Sequence, residues 1–306
     1  MEPAIVTAYA GSGFGKSLDA IYSFPQAVFL TPARGGLVAA QVMIGRTVRE
    51  EVVPTLTAAK TRIVQILKEP AYKNPRNRVV VLDDFSILCE RTMLQLEDAG
   101  VKGWDVWKQL GRQIQGTRDY ALDATVTTAM NAHIAPPKKL DSGALIPGGP
   151  LMPSQKLSGI LPGVSTLVLR GEKDAFVQPP LWPGVWCVDT NDGNWLTKDR
   201  YCVVGPKVPM NTREILFRAA EAGHKVIVPA RLPGLEWLDA AAEKVAEGLT
   251  SAFPTPQAAA EGLARAPGLP SKDPRLLRWA WRDGVARHRL RTEGAAKALF
   301  AAFIAS

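Results

Sequence analysis

The sequence predicts an α/β fold built on a mostly parallel central sheet, followed by a small helical region. Three observations predict it. An apolar segment, Ala4-Ile5-Val6-Thr7-Ala8-Tyr9, runs into a glycine-rich stretch and then a helical pattern. A second run, Arg78-Val79-Val80-Val81-Leu82-Asp83-Asp84, is continuous and rich in β-branched residues, the form of a strand buried on both faces. Strands then keep alternating with helical stretches up to about residue 205, the pattern of a parallel sheet with crossover helices.

Taken in order, the first strand ends at Ala10-Gly11-Ser12-Gly13-Phe14-Gly15-Lys16-Ser17. This has the form of a phosphate-binding loop: Gly11, Gly13 and Gly15 let the backbone curl so that the N–H groups of Gly11 to Ser17, Ser12 and Phe14 included, point at phosphate oxygens. Lys16 would reach the β- and γ-phosphates of ATP and the Ser17 hydroxyl would ligate Mg²⁺. The helix expected from about Ser17 to Tyr22 adds its positive N-terminal dipole. The first glycine of the motif is replaced by Ala10, which is compatible with phosphate binding if Ala10 keeps an ordinary φ.

Ala27-Val28-Phe29-Leu30-Thr31 is a second strand, and about Leu37 to Leu67 reads as mainly helical. The Asp83 strand follows. In α/β sheets ligands collect at the carboxyl ends of strands, which makes Asp83 the expected outer-sphere Mg²⁺ partner. Asp84 either polarises the attacking water or caps the helix beginning near Phe85. From Ile87 to Asp119 the pattern is helical, with Trp104, Trp107 and Leu110 spaced for one buried face. Ala124–Met130 is another strand, which delivers Asn131 and His133 to the same sheet edge. Residues 135–162, rich in Pro, Gly and Lys, form a long loop of the kind that usually carries function. Strands near Ser165–Leu169 and Gly184–Val188 lead to a turn at Asn191-Asp192-Gly193-Asn194.

Composition sets the boundaries. The 306 residues are 46% hydrophobic, enough for a substantial core, and suggest two units: an α/β core over residues 1–205 and a mainly helical region over 206–306. No apolar run approaches the ~18 residues of a membrane span, and Met1-Glu2-Pro3 does not start like a secretory signal. Three cysteines without metal-ligand spacing read as thiols of a reducing cytoplasm. The net charge of +8 points to a polyanionic partner.

Together with the phosphate loop, the Asp83 strand and the polar strand end Asn131-Ala132-His133, the segment Thr197-Lys198-Asp199-Arg200-Tyr201 resembles the RecA-like ATPase core, over about residues 4–205. Within that group it is most similar to the phage RecA-like single-strand annealing ATPases. The resemblance implies a RecA-like P-loop fold, assembly as a filament or ring, and single-stranded DNA as partner. It implies that Lys198 and Arg200 reach across a subunit interface to a neighbour's γ-phosphate, and that Asn131 or His133 senses that phosphate. Otherwise Lys198 and Arg200 are a solvated basic turn and His133 is a structural histidine. RecA carries a catalytic glutamate after its second strand; here Thr31-Pro32-Ala33-Arg34-Gly35-Gly36 has no acid, leaving Asp84 or another acid to activate water.

After about Asn211 the chain is Ala-, Glu- and Arg-rich: a helix over Thr212–Ala222, an apolar run at Lys225–Pro229, a helix from about Leu235 to Leu249, and a proline-broken stretch. On the last helix, from Pro274, Arg275, Arg278, Arg282 and Arg289 fall within about 60° of one another, with Leu277, Trp281, Val285 and His288 forming a separate stripe beside them. Such a stripe either offers Arg275, Arg278 and Arg282 to DNA phosphates, with Trp279 placed to stack on a base, or is a solvated face. The reading is an ATP-hydrolysing, DNA-acting protein of phage-type recombination or replication. Its alternatives are a hexameric helicase or translocase, and a low-turnover loader or adaptor.

Overall fold

The computed structural model describes residues 1–173, 184–188, 193–248 and 273–305. The phosphate loop joins β1 (Ile5–Tyr9) to α1 (Lys16–Ser23). There follow β2 (Val28–Thr31), α2 (Val38–Ile44), β3 (Arg49–Val52), α3 (Leu56–Ile66), β4 (Val79–Asp83), α4 (Phe85–Asp98), α5 (Trp104–Asp123) and β5 (Thr127–Ala132). Four two-residue strands come next: β6 (Ile134–Ala135), β7 (Lys138–Lys139), β8 (Leu145–Ile146) and β9 (Gly149–Pro150). Then come α6 (Gln155–Val164), β10 (Leu167–Glu172), β11 (Val185–Cys187), β12 (Lys198–Asp199) and β13 (Val208–Pro209). The helices α7 (Thr212–Glu221), α8 (Trp237–Gly248) and α9 (Pro274–Ala305) close the chain.

The main sheet has the order β13-β11-β10-β1-β5-β4-β2-β3, with β12 also paired to β10. From β10 to β3 every pairing is parallel; β11, β12 and β13 are antiparallel additions at one edge. This is the α/β, mostly parallel architecture that the sequence predicts. Because β5 lies between β1 and β4, the phosphate loop, Asn131 and Asp83 come together at one sheet edge; Asp83 stands opposite Asn131 in register.

The strands are buried on both faces, and the period of two divides them between two cores. Val6, Ala8, Val79 and Val81 face α1 and the C-terminal helices. Ile5, Val80 and Leu82 face α3 to α6. The first of these cores is shared by residues before and after position 205: Ile21, Phe29 and Leu169 pack in one cluster with Leu216, Leu238, Leu277 and Trp281.

Several local expectations are corrected. Residues 37–67 are two helices separated by β3, which pairs with β2 at the sheet edge. Its Arg49-Glu50-Glu51 sequence looks like a solvated helix, but charged residues also suit a protected edge strand, and Arg49 pairs there with Glu69. The helix expected over 87–119 is broken at Gly100 and Gly103, both with positive φ, which restart it as α5 in a new direction. Trp104 does not join Leu110 in the core; it is 62% exposed. The strand expected at Ala124–Met130 begins only at Thr127, because Ala124 caps α5 and Thr125 has φ 57. Within 135–162 the chain forms two small hairpins and the start of α6, capped by Ser154. In the apolar run at Lys225–Pro229, Val226 makes a single parallel bridge to Glu2. Asn191 and Asp192 of the expected turn, and the prolines at 254, 256, 267 and 270, lie outside the described residues.

Candidate nucleotide site

The phosphate loop owes its shape to residues with no side chain to obstruct it. Gly13 and Gly15 have φ 75 and 91, in the left-handed region that glycine occupies without strain, and Gly15 is the N-cap of α1. A Cβ on Gly11 would lie 2.8 Å from the Phe14 ring, so Phe14 closes over a position only glycine fits. Ala10 is not among the residues with positive φ, which is why the motif tolerates it.

Lys16 donates to the carbonyls of Ala10 (3.0 Å) and Gly11 (3.2 Å), which holds its ammonium along the loop. Burial lowers its pKa, and the charges of Asp83 and Asp84 oppose that shift. The Ser17 hydroxyl donates to Asp83 Oδ2 at 2.6 Å. Burial raises the Asp83 pKa, against the Ser17 hydroxyl and the neighbouring Asn131 amide, which favour the carboxylate. One hydroxyl facing one carboxylate beside a phosphate cradle fits Mg²⁺, which keeps most of its waters and takes few protein ligands. No cluster of three or more His, Cys, Asp or Glu suited to a metal occurs among the described residues.

These residues line a cleft of about 1000 Å³ that also takes in Asp84, His133, Arg34 and Lys173. Asp84 uses both of its oxygens. Oδ1 accepts from the Ser86 N–H (2.8 Å) and the Ile87 N–H (3.4 Å), capping α4, while Oδ2 meets His133 Nε2 at 2.5 Å. The His133 N–H in turn donates to the Ser86 hydroxyl at 3.0 Å. Lys16, Ser17, Asp83, Asp84, Asn131 and His133 therefore stand together, as their strand ends suggest. Arg34 and Lys173 were not legible as site residues. Arg34 lies in the stretch noted only for lacking an acid, and Lys173, 5.4 Å from the Phe14 ring centroid, follows a strand that pairs with β1.

Lys198 and Arg200 are elsewhere. In register Lys198 faces Val168 and the Arg200 N–H bonds the Thr166 carbonyl, at the amino end of β10, away from the chain's own cleft. Lys198 Nζ donates to the Pro162 carbonyl at 2.5 Å; burial lowers its pKa, and Arg200 and Arg118 lower it further.

The arginine stripe of α9 is corrected. Arg282 is 1% exposed and ion-paired to Asp19 (2.8 Å) of α1 and to Asp283 (3.2 Å), with its guanidinium 4.5 Å from the Tyr22 ring. Trp279 is buried edge-on against Tyr22, with centroids 5.5 Å apart, and offers no face to a base. Arg278 is exposed, and the side chain of Arg275 lies outside the described residues. The missed signal was Asp19: a carboxylate one turn into the loop helix, on its buried face, needs a cation.

No protein-family model matches the chain, and no curated protein matches it. Among solved structures it is similar to a KaiC-like protein of the hyperthermophilic archaeon Pyrococcus horikoshii, at 12% identity and a TM-score of 0.38, over 68% of this chain and 85% of that one. No helix among the described residues is long and apolar enough to cross a membrane.

Proposed function

We propose that the chain is a P-loop ATPase that binds and hydrolyses ATP with Mg²⁺, acting as a homo-oligomer on single-stranded DNA in phage-type recombination or replication. One observation carries the hydrolytic part: Lys16, Ser17 and Asp83 converge in one cleft beside the N-terminus of α1. Lys16 places fixed charge where the β- and γ-phosphates lie, and the N–H groups of the loop hold their oxygens. Ser17 and Asp83 are the residues that would hold Mg²⁺, whose charge neutralises the phosphates when it is bound. Sensing of the γ-phosphate falls to His133, which lines the cleft, or to Asn131, buried beside Asp83. Lys198 and Arg200 lie at the other end of β10 from their own cleft, so a γ-phosphate they serve is a neighbour's, and Lys198 would leave the Pro162 carbonyl to reach it. The DNA part is supported by the net charge of +8 and by the resemblance of the core.

The test is Lys16→Ala. Its ammonium touches only the carbonyls of its own loop, so the variant should melt as the parent does while losing ATP turnover by two orders of magnitude or more. Turnover at the parent rate would falsify the assignment. One observation favours a second reading, a low-turnover loader or adaptor: Asp84, the cleft acid that could activate water, has both oxygens engaged. A parent protein that binds ATP but does not turn it over would support that reading, and DNA strand displacement would favour a helicase.

A further inference from the structure

A groove between α5 and α6, which shares no lining residue with the nucleotide cleft, has the chemistry of a binding surface. Trp104, Lys108 and Arg112 follow one another at four-residue steps on α5, so they form one stripe ~12 Å long. Lys156, in the first turn of α6, faces them across the groove with its ammonium 4.5 Å from the Trp104 ring centroid. The floor is apolar, made by Trp107, Leu157 and Ile160, around a hollow of about 380 Å³. Three of the lining residues are cations and none is a carboxylate. Lys108 and Arg112 make no ion pair among the described residues, although 29 acids are present in the chain. An exposed indole beside cations that no carboxylate neutralises is complementary to a partner that carries both flat rings and negative charge. A second hollow continues the groove along the same two helices towards Arg118, whose guanidinium is paired with Asp119.

We infer that this groove is a binding track for single-stranded nucleic acid. The inference names a surface for the DNA partner of the proposed function and rests on that part of it alone. A single strand presents what the groove complements: a line of negative charges and flat apolar faces beside them. Sequence-independent strand binding combines a cationic groove with an aromatic platform on which a base stacks. Here a base stacks on Trp104, displacing the Lys156 ammonium towards a phosphate, while Lys108 and Arg112 meet the phosphates that follow. Duplex DNA fits less well, because its bases are already stacked and only its backbone is offered. The track also moves the DNA contact away from α9, where Arg282 is internal.

The experiment is anisotropy of a fluorescein-labelled oligothymidylate, titrated with the full chain without nucleotide at several salt concentrations. Three phosphate contacts at ~0.7 each predict that Lys108→Ala/Arg112→Ala/Lys156→Ala flattens the salt slope by about 2. Trp104→Ala should weaken binding about tenfold or more, and Trp104→Phe much less. These side chains lie outside both cores, so circular dichroism should show parent-like folding. Three outcomes would overturn the inference: no binding by the parent, parent-like affinity and slope in the triple variant, or loss of self-association with DNA affinity unchanged. The last would assign the groove to a second copy of the chain. ATP turnover is measured separately, so an inactive ATPase that binds the oligonucleotide through the groove would sink the hydrolytic reading and leave this one standing.

Discussion

At the scale of single residues, the chemistry of the cleft turns on how Asp84 divides its two oxygens. As the cap of α4 it satisfies N–H groups that the helix leaves without partners; through Oδ2 it holds His133 at the edge of the cleft. Asp84→Asn keeps a cap acceptor and nearly the same shape while removing the charge. It should bind ATP as the parent does and melt within about 0.5 kcal/mol of it, yet turn over roughly a hundredfold more slowly, the scale of a lost general base. Asp84→Ala should lose the cap as well, costing about 1 kcal/mol in denaturant unfolding. If Asp84→Asn hydrolysed ATP at the parent rate, the activating group would have to be sought among other acids. Most of this site was legible in the sequence because loop and strand-end residues announce themselves by local order: glycines before Lys16-Ser17, a carboxylate ending an apolar run. Arg34 and Lys173 were not, because only tertiary packing brings their loops to the same cleft.

At the scale of elements, the C-terminal helices are held to the loop helix by buried charge. Asp19 of α1 accepts from Thr212 Oγ1 (2.6 Å), Trp186 Nε1 (3.1 Å) and Arg282 (2.8 Å), so the helix that begins the nucleotide site is fastened from behind by α7, β11 and α9. A second set joins α7, α8 and α9: Arg213 and Arg231 both pair with Asp239 at 2.9 Å, and Arg287 pairs with Glu214 at 2.9 Å. Burial alone would raise the Asp239 pKa, but Arg231 and Arg213 outweigh it and bring the carboxyl down to about 2. A carboxyl whose folded pKa lies below its unfolded value of ~3.9 stabilises the fold at higher pH, and that contribution fades as pH falls through the window between the two. Asp239→Asn should therefore be less stable than the parent at neutral pH. The gap should close between about pH 4 and pH 2 in acid-unfolding curves, and a gap independent of pH would remove Asp239 from the ionic account. The strands of the parallel sheet were readable because burial on both faces leaves one apolar pattern. The edge strand β3 and the arginines of α9 were misread for a common reason. Charge on an amphipathic pattern ordinarily means solvent, and only a partner distant in sequence, Glu69 or Asp19, reveals that it is paired or internal.

At the scale of the whole molecule, the question is whether one chain holds a complete catalytic site. The proposed phosphate-facing cations divide into two groups on opposite ends of the sheet: Lys16 at the carboxyl ends of the strands, and Lys198 with Arg200 at the amino end of β10. No reorientation of a side chain spans that distance, so if Lys198 and Arg200 act on a γ-phosphate they act on a neighbour's. Arg200→Ala should then bind ATP normally but hydrolyse it 10³-fold or more slowly, the order of an arginine finger supplied in trans. Lys16→Ala should be inactive for the other reason, a defective loop. Mixed in one assembly, the two inactive proteins place an intact loop against an intact finger at some interfaces, and activity should return in part. The recovered rate should depend on the mixing ratio, with a maximum near equal amounts, because only mixed interfaces are productive. Two inactive proteins that stay inactive when mixed, under conditions where labelled chains are seen to exchange, would confine the site to a single chain and leave Lys198 and Arg200 as a basic turn.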